Sequence, residues 1–311
     1  MADTTVAAPT PMPVATDAAA EGVSRLRVYG VLAFGILCIA LSAIFVKLAG
    51  VPGTVSALYR VAIAAVVLAL PFARGVARRK VVRDWRIWVL AAAAGVFFVL
   101  DIAVWNTSLF MTSAANATLL GNDAPLLVGL GALLLFHERL KLSYWIGLAL
   151  ALLGMGAIVG RDVLGQAGQL GAGDLLALLA GVFYAMYLLA TQRIRARMDT
   201  LSSLWVAGAV GAALLLVFNL AAGYALWGFA PNQYLALLGL GLISQVAGWL
   251  AINYALGHMP ASAVSVTLLA QPVLTALFAV PFLGEALEGR QVFGGLVALA
   301  GIYLVNRGFA K

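Results

Sequence analysis

Residues 135–154 read LFHERLKLSYWIGLALALLG, and residues 282–301 read FLGEALEGRQVFGGLVALAG. The second stretch is the first moved along by 147 positions. Glu138 falls on Glu285, Leu140 on Leu287, Gly147 on Gly294, Ala151 on Ala298, Leu152 on Leu299 and Gly154 on Gly301. Leu, Ala and Gly are common in this chain, so these matches alone decide little. The same ungapped shift also lays Asn106 on Asn253, Leu109 on Leu256, Ala114 on Ala261 and Pro125 on Pro272. Rarer residues falling into one register mark an internal repeat.

The composition says what kind of chain repeats. Of its 311 residues, 64% are hydrophobic and 10% are charged. A soluble domain carries about 25% charged residues, so the polar surface needed to coat a soluble globule is missing. Mean hydropathy is +1.03. The chain reads as an all-α polytopic membrane protein. The formal charge of +7 is therefore a question of which side of a bilayer the cations occupy, and no nucleic acid is expected. The one cysteine, Cys38, lies in an apolar run and reads as a small buried hydrophobe. No intrachain disulfide or thiolate cluster is available to it.

A spanning helix needs roughly 20 mainly apolar residues. Charge, Gly and Pro divide the chain into ten such runs, at 28–49, 53–73, 87–109, 112–136, 143–160, 173–193, 201–222, 233–256, 260–283 and 290–307. With a cytoplasmic N-terminus, the basic stretches RGVARRK (74–80) and RIRAR (193–197) both fall inside. So do Arg25, Arg27, Arg83, Arg86, Arg139, Lys141, Arg307 and Lys311, whereas only Lys47, Arg161 and Arg290 fall outside. That bias predicts both termini in the cytoplasm of a bacterial inner membrane. Residues 1–27, rich in Ala, Thr and Pro, read as a disordered cytoplasmic tail with no basic start of a cleaved leader. The expected organisation is a first repeat over 28–160, an external linker over 161–172 and a second repeat over 173–308.

Five helices per repeat is an odd number, so the second copy is expected to enter the membrane upside down. Two inverted five-helix repeats around a central cavity are a recurring way to build an alternating-access transporter. The repeated elements Pro125, Glu138, Leu140, Gly147, Gly154 and Pro272, Glu285, Leu287, Gly294, Gly301 resemble those of EamA-type members of the drug/metabolite transporter superfamily. The resemblance covers about residues 28–308. It implies a ten-helix bundle with a central cavity that exports small metabolites. Within that superfamily the chain is similar to the YddG type, which implies aromatic and other neutral amino acids. Another metabolite or a drug remains the alternative, and a channel-like pore or an intramembrane enzyme are the rivals of a different class.

Ionisable groups inside spans are costly, about 2.5–3.5 kcal/mol at a helix centre on insertion scales. Lys47 lies near a helix end and snorkels. Arg60 either pairs with an acid or reaches the outer interface. Asp101 and Trp105 share a face of the third helix; Asn116 and Asp123 share a face of the fourth, beside Asn122. Gln245, Trp249 and Asn253 are spaced alike on the eighth, Tyr184 and Tyr187 stand on the sixth, and Gln271 on the ninth. Polar and aromatic faces on several helices suit a cavity for a zwitterion with an apolar side chain. Interhelical hydrogen bonding is the plainer account of each residue singly. Asp101 matches Gly248 and Asp123 matches Ala270 across the repeat, an asymmetry that favours a site over shared scaffolding. Pro125 and Pro272 interrupt helices near polar neighbours and read as hinges. Glu138 and Glu285 read as end-caps or gate edges.

Small residues Gly147, Ala151, Gly154 and Gly294, Ala298, Gly301 form stripes for close helix packing, within one bundle or between two copies; monomer and homodimer both fit. The two histidines, His137 and His258, fall at helix ends, and the chain has no H-E-x-x-H or Walker A motif. No catalytic residue, metal site or cofactor is expected. The expected partners are a small-molecule substrate and the lipid bilayer.

Overall fold

The computed structural model describes residues 24–78, 84–108, 111, 120–159, 171–283 and 289–309. Among them every regular element is helical. In order these are α1 (Arg25–Ala49, broken at Leu41), α2 (Gly53–Arg78), α3 (Trp85–Ser108), α4 (Ala124–Leu135), α5 (Leu142–Val159), α6 (Ala172–Arg195), α7 (Thr200–Ala221), α8 (Pro231–Leu256), α9 (Ala261–Leu268 continued by Ala270–Leu283) and α10 (Gly289–Phe309). Eight are long and apolar enough to cross a membrane, and two shorter apolar helices, Ala124–Leu135 and Leu142–Ala157, accompany them.

Hydrocarbon offers the backbone no hydrogen bonds, so apolar runs of this length close their bonds within helices. Side-chain placement follows the same solvent. Val66 and Leu134 are each 76% exposed, while Ser56, Asn106, Asn219 and Asn253 are buried. The greasy face is outside and many polar groups are inside.

Several expected boundaries move for local reasons. α1 begins at Arg25 rather than 28, because the Ser24 hydroxyl accepts the Arg27 N–H at 3.2 Å. Three residues assigned to the tail thus belong to the helix; residues 1–23 lie outside the described set. Nearly all of the 161–172 linker also does, and α6 starts at Ala172.

The sequence predicts a fourth helix over 112–136, interrupted within its length at Pro125. Its described part instead turns at Asn122–Asp123 and restarts at Ala124 with Pro125 in the first turn. Proline lacks an N–H, and a first turn leaves that group unbonded anyway, so the break removes the conflict. α9 repeats the device. It breaks at Leu269, and Pro272 lies in the first turn of Ala270–Leu283. Asp123 and Ala270 are 147 positions apart, so the two breaks share the register of the repeat.

Helix pairing carries the repeat into three dimensions. α1 packs on α8 and α6 on α3; α2 packs on α8 and α7 on α3; α1 packs on α9 and α6 on α4. Three more pairs, α2 with α7, α4 with α9 and α5 with α10, join helices to their own counterparts. Renaming every helix as its counterpart five places away turns these nine pairs into themselves, whereas α9 packs on α10 more extensively than α4 does on α5. The small-residue stripes are used within the chain: a Cβ on Gly147 would stand 2.7 Å from the Gly301 carbonyl, and one on Gly154 would overlap the Ala298 backbone.

Candidate functional site

The bundle gathers polar groups where α2, α3, α6 and α8 meet. Arg60, two turns into α2, donates from Nε to the Gln245 Oε1 at 2.6 Å and from Nη1 to the Ser42 hydroxyl at 3.2 Å. Its Cζ lies 5.7 Å from the Phe98 ring centroid. Among the described residues Arg60 makes no contact ion pair, and both of its hydrogen bonds go to neutral acceptors. Gln245 is presented by a π-helical stretch, Leu240–Gly248, within α8. Such wide turns are rare and concentrate at functional sites. The stretch is clasped from both sides: a Cβ on Gly241 would stand 2.6 Å from Ile63 of α2, and one on Gly248 would stand 2.9 Å from Ile39 of α1.

Around the guanidinium stands an aromatic wall. Phe98 meets Tyr187 and Trp249 with centroids 4.8 and 4.9 Å apart, and Trp249 meets Tyr187 at 5.1 Å and Tyr184 at 6.2 Å. Asn253 donates to the Tyr187 hydroxyl at 3.0 Å. Gln245, Asn253, Tyr187 and Trp249 are sealed in the core. Arg60, Asp101, Trp105, Asn122, Asp123, Tyr184 and Gln271 keep accessible surface. The expected site residues thus divide into a buried supporting layer and a half-buried layer.

Asp101 sits one turn beyond Phe98 on α3, within electrostatic reach of Arg60, Asp123 and Tyr184. Among the described residues nothing hydrogen-bonds its carboxylate, and no contact salt bridge joins it to Arg60. Asp123 ends the turn before α4, and its carbonyl accepts the Leu126 N–H at 2.9 Å. Its Oδ1 is buried with no hydrogen-bond partner among the described residues. Opposite lies Gly181 of α6, where a Cβ would overlap that carboxylate. Trp105 packs over Gly121, where a Cβ would stand 3.0 Å from the indole.

Gln271 stands apart from this cluster and donates to the Ile39 carbonyl at 3.4 Å. Asn116 and Glu285 lie outside the described residues. Sequence reasoning does not single out Phe98 or Ser42; Phe98 is one more aromatic in an apolar helix, and neither carries a signal of its own.

Glu138 belongs to a second constellation. Its Oε1 accepts the Gln192 side-chain amide at 3.2 Å, and its Oε2 accepts the Ser262 hydroxyl at 2.8 Å. Gln192 Oε1 in turn accepts the Ala261 N–H at 2.6 Å. One carboxylate thus ties the α4–α5 connection to the end of α6 and the start of α9, where a negative charge also suits the helix N-terminus. Among the described residues no group of His, Cys, Asp and Glu could hold a metal ion.

The profile of the EamA-like transporter family matches this chain twice, over residues 27–160 and 171–307. An uncharacterized transporter of Archaeoglobus fulgidus is 29% identical over 72% of this chain and 76% of its own. The uncharacterized transporter YwfM of Bacillus subtilis is 27% identical over 74% and 77%. A probable terminal-alkyne amino-acid exporter of Streptantibioticus cattleyicolor is 27% identical over 80% and 82%. A solved crystal structure superposes with a TM-score of 0.75 at 23% identity, covering 90% of this chain and 96% of that one. That last likeness is one of fold.

Proposed function

The chain belongs to the EamA-like transporter family, and from that premise we propose that it is a secondary transporter exporting a neutral, preferably aromatic, amino acid across the bacterial inner membrane. The observation that carries the substrate class is the half-buried layer together with the buried rings behind it. A guanidinium, Arg60, and a carboxyl group, Asp101, stand beside the Phe98–Tyr187–Trp249 wall. That pair of groups, backed by aromatic rings, suits a zwitterion with an apolar side chain. The Streptantibioticus relative, named as a probable amino-acid exporter, supports the same class.

Alternating access is the mechanism of this reading, with the second five helices inverted relative to the first and both termini cytoplasmic. The interchangeable helix pairings and the in-register breaks at Asn122–Asp123 and Leu269 support it. Two halves of one design exchange conformations around a fixed central site. The breaks before Pro125 and Pro272 serve as hinges in that exchange. Glu138 closes the cytoplasmic end by joining α6 to α9.

The test is a panel of labelled phenylalanine, tryptophan, threonine and methionine in proteoliposomes of the full chain. Saturable movement of at least one is expected. If all four stay put while another metabolite moves, the amino-acid reading is wrong and the transporter stands.

A further inference from the structure

We propose that Arg60 anchors the carboxylate of the solute and Asp101 receives its ammonium group, so that the site reads an α-amino acid by both of its charges. The assignment rests on the amino-acid reading above and fixes the orientation of the solute within it.

An arginine inside a membrane-spanning helix needs a counter-charge or many hydrogen bonds. Arg60 has neither in full. A guanidinium carries five N–H donors, and the described residues engage one at Nε and one at Nη1, both with neutral acceptors. Nη2 has no partner among them. Together with the second N–H of Nη1, it can offer a carboxylate two parallel bonds, one from each terminal nitrogen.

Asp101 carries the complementary deficit. It lies within electrostatic reach of Arg60, yet no hydrogen bond from a described residue reaches its carboxylate. Arg60 is tethered at Nε by Gln245 and at Nη1 by Ser42, with the Phe98 ring beside its Cζ. The protein thus presents a guanidinium and a carboxyl group that do not bond to each other, with hydrogen-bonding capacity to spare on each. A simple anion would leave Asp101 unanswered, and a simple amine would leave Arg60 unanswered. A zwitterion answers both. Its side chain then falls against Tyr184, which keeps accessible surface in front of the buried wall.

The tether has a further property. Phe98 and Gln245 are 147 residues apart, the register of the repeat. Arg60 is therefore held by equivalent positions of the two halves.

The experiment is counterflow of the best-moved amino acid of the panel, with two analogues as competitors: the decarboxylated amine and the deaminated acid. For phenylalanine these are phenethylamine and 3-phenylpropionate. Wild-type protein is expected to prefer the zwitterion over either analogue by at least about tenfold. Arg60→Gln is expected to raise KM for the amino acid about tenfold or more, with a smaller change in maximal rate, and to let the amine compete as well as the amino acid. Asp101→Asn is expected to do the mirror image with the acid. Arg60→Lys, which keeps the charge and loses the fork, is expected to fall between. An Arg60→Gln protein with unchanged KM and unchanged discrimination overturns the assignment. So does a wild-type protein that takes the amine or the acid as readily as the amino acid, a result that needs no variant to fold. A wild-type protein that moves none of the four amino acids overturns the substrate reading itself, and is told apart from the other outcomes by its lack of any flux to compete.

Discussion

Phe98 and Gln245 occupy equivalent positions in the two halves of the chain and both meet one side chain, the guanidinium of Arg60. One contributes an aromatic face and the other a carbonyl oxygen 2.6 Å from Nε. The halves share a backbone plan and differ in the chemistry they bring to it.

Gln245 is therefore the residue to change first. Gln245→Leu leaves the Nε–H of Arg60 without an acceptor in an apolar surrounding. The expected loss is about 1–3 kcal/mol, read as a lower unfolding midpoint in detergent. Gln245→Glu places a charged acceptor at the same point. It is expected to keep or raise that midpoint while slowing transport severalfold, because a fixed carboxylate then holds the guanidinium. Transport at the wild-type rate by the Gln245→Glu protein contradicts the role given to Arg60.

The α5–α10 contact gives a paired test of packing. A side chain at Gly154 runs into the Ala298 backbone, whereas a Cβ at Gly156 meets nothing within 4 Å. Gly154→Leu is expected to destabilise by about 3 kcal/mol or more, as overpacking does at its upper end. Gly156→Leu is expected to change little. Equal behaviour of the two in thermal unfolding would mean that the stripe is not where the helices meet.

Much of this architecture is legible in the sequence. The shift of 147 that superposes Glu138 on Glu285 also superposes the breaks at Asp123 and Ala270, and Pro125 and Pro272 advertise them. Apolar length finds the helices because hydrocarbon leaves the backbone no alternative. The break at Leu41 is different, since neither Pro nor Gly stands beside it. The π-helical stretch around Gln245 carries no local signal either; Ile63 and Ile39 pack close to Gly241 and Gly248 there, contacts made across the fold. Arg60 is visible as an anomaly, but its acceptor lies 185 residues away, beyond any periodicity. The same holds for Glu138. Its charge and helix-end position are local facts, while Gln192 and Ser262 reach it only through the bundle.

Asp123 and Gly181 make a second pair that only the fold reveals. Gly181→Ala pushes a methyl into the Asp123 carboxylate and is expected to destabilise strongly. In an Asp123→Ala background the same change is expected to cost little. The coupling in a double-mutant cycle is expected to lie at about 1–3 kcal/mol. Additive effects would place Asp123 away from Gly181.

The gate role proposed for Glu138 has a kinetic signature. In a Cys38→Ser background, a cysteine introduced as Ser265→Cys sits buried one turn below Ser262. Glu138→Ala removes two hydrogen bonds between α6, α9 and the connection that carries it. Opening should become easier by about 1–3 kcal/mol, and maleimide modification of that cysteine about tenfold faster. An unchanged rate would leave Glu138 as a static brace.

The most direct measurement of the central claim is counterflow. Proteoliposomes preloaded with unlabelled phenylalanine or another amino acid of the panel are diluted into a trace of the labelled one. A carrier that turns its site from one face to the other draws label inward against its gradient, transiently, and saturates with concentration. That overshoot is the predicted result. Label that only equilibrates, at a rate linear in concentration and indifferent to the preload, would contradict alternating access and indicate a pore.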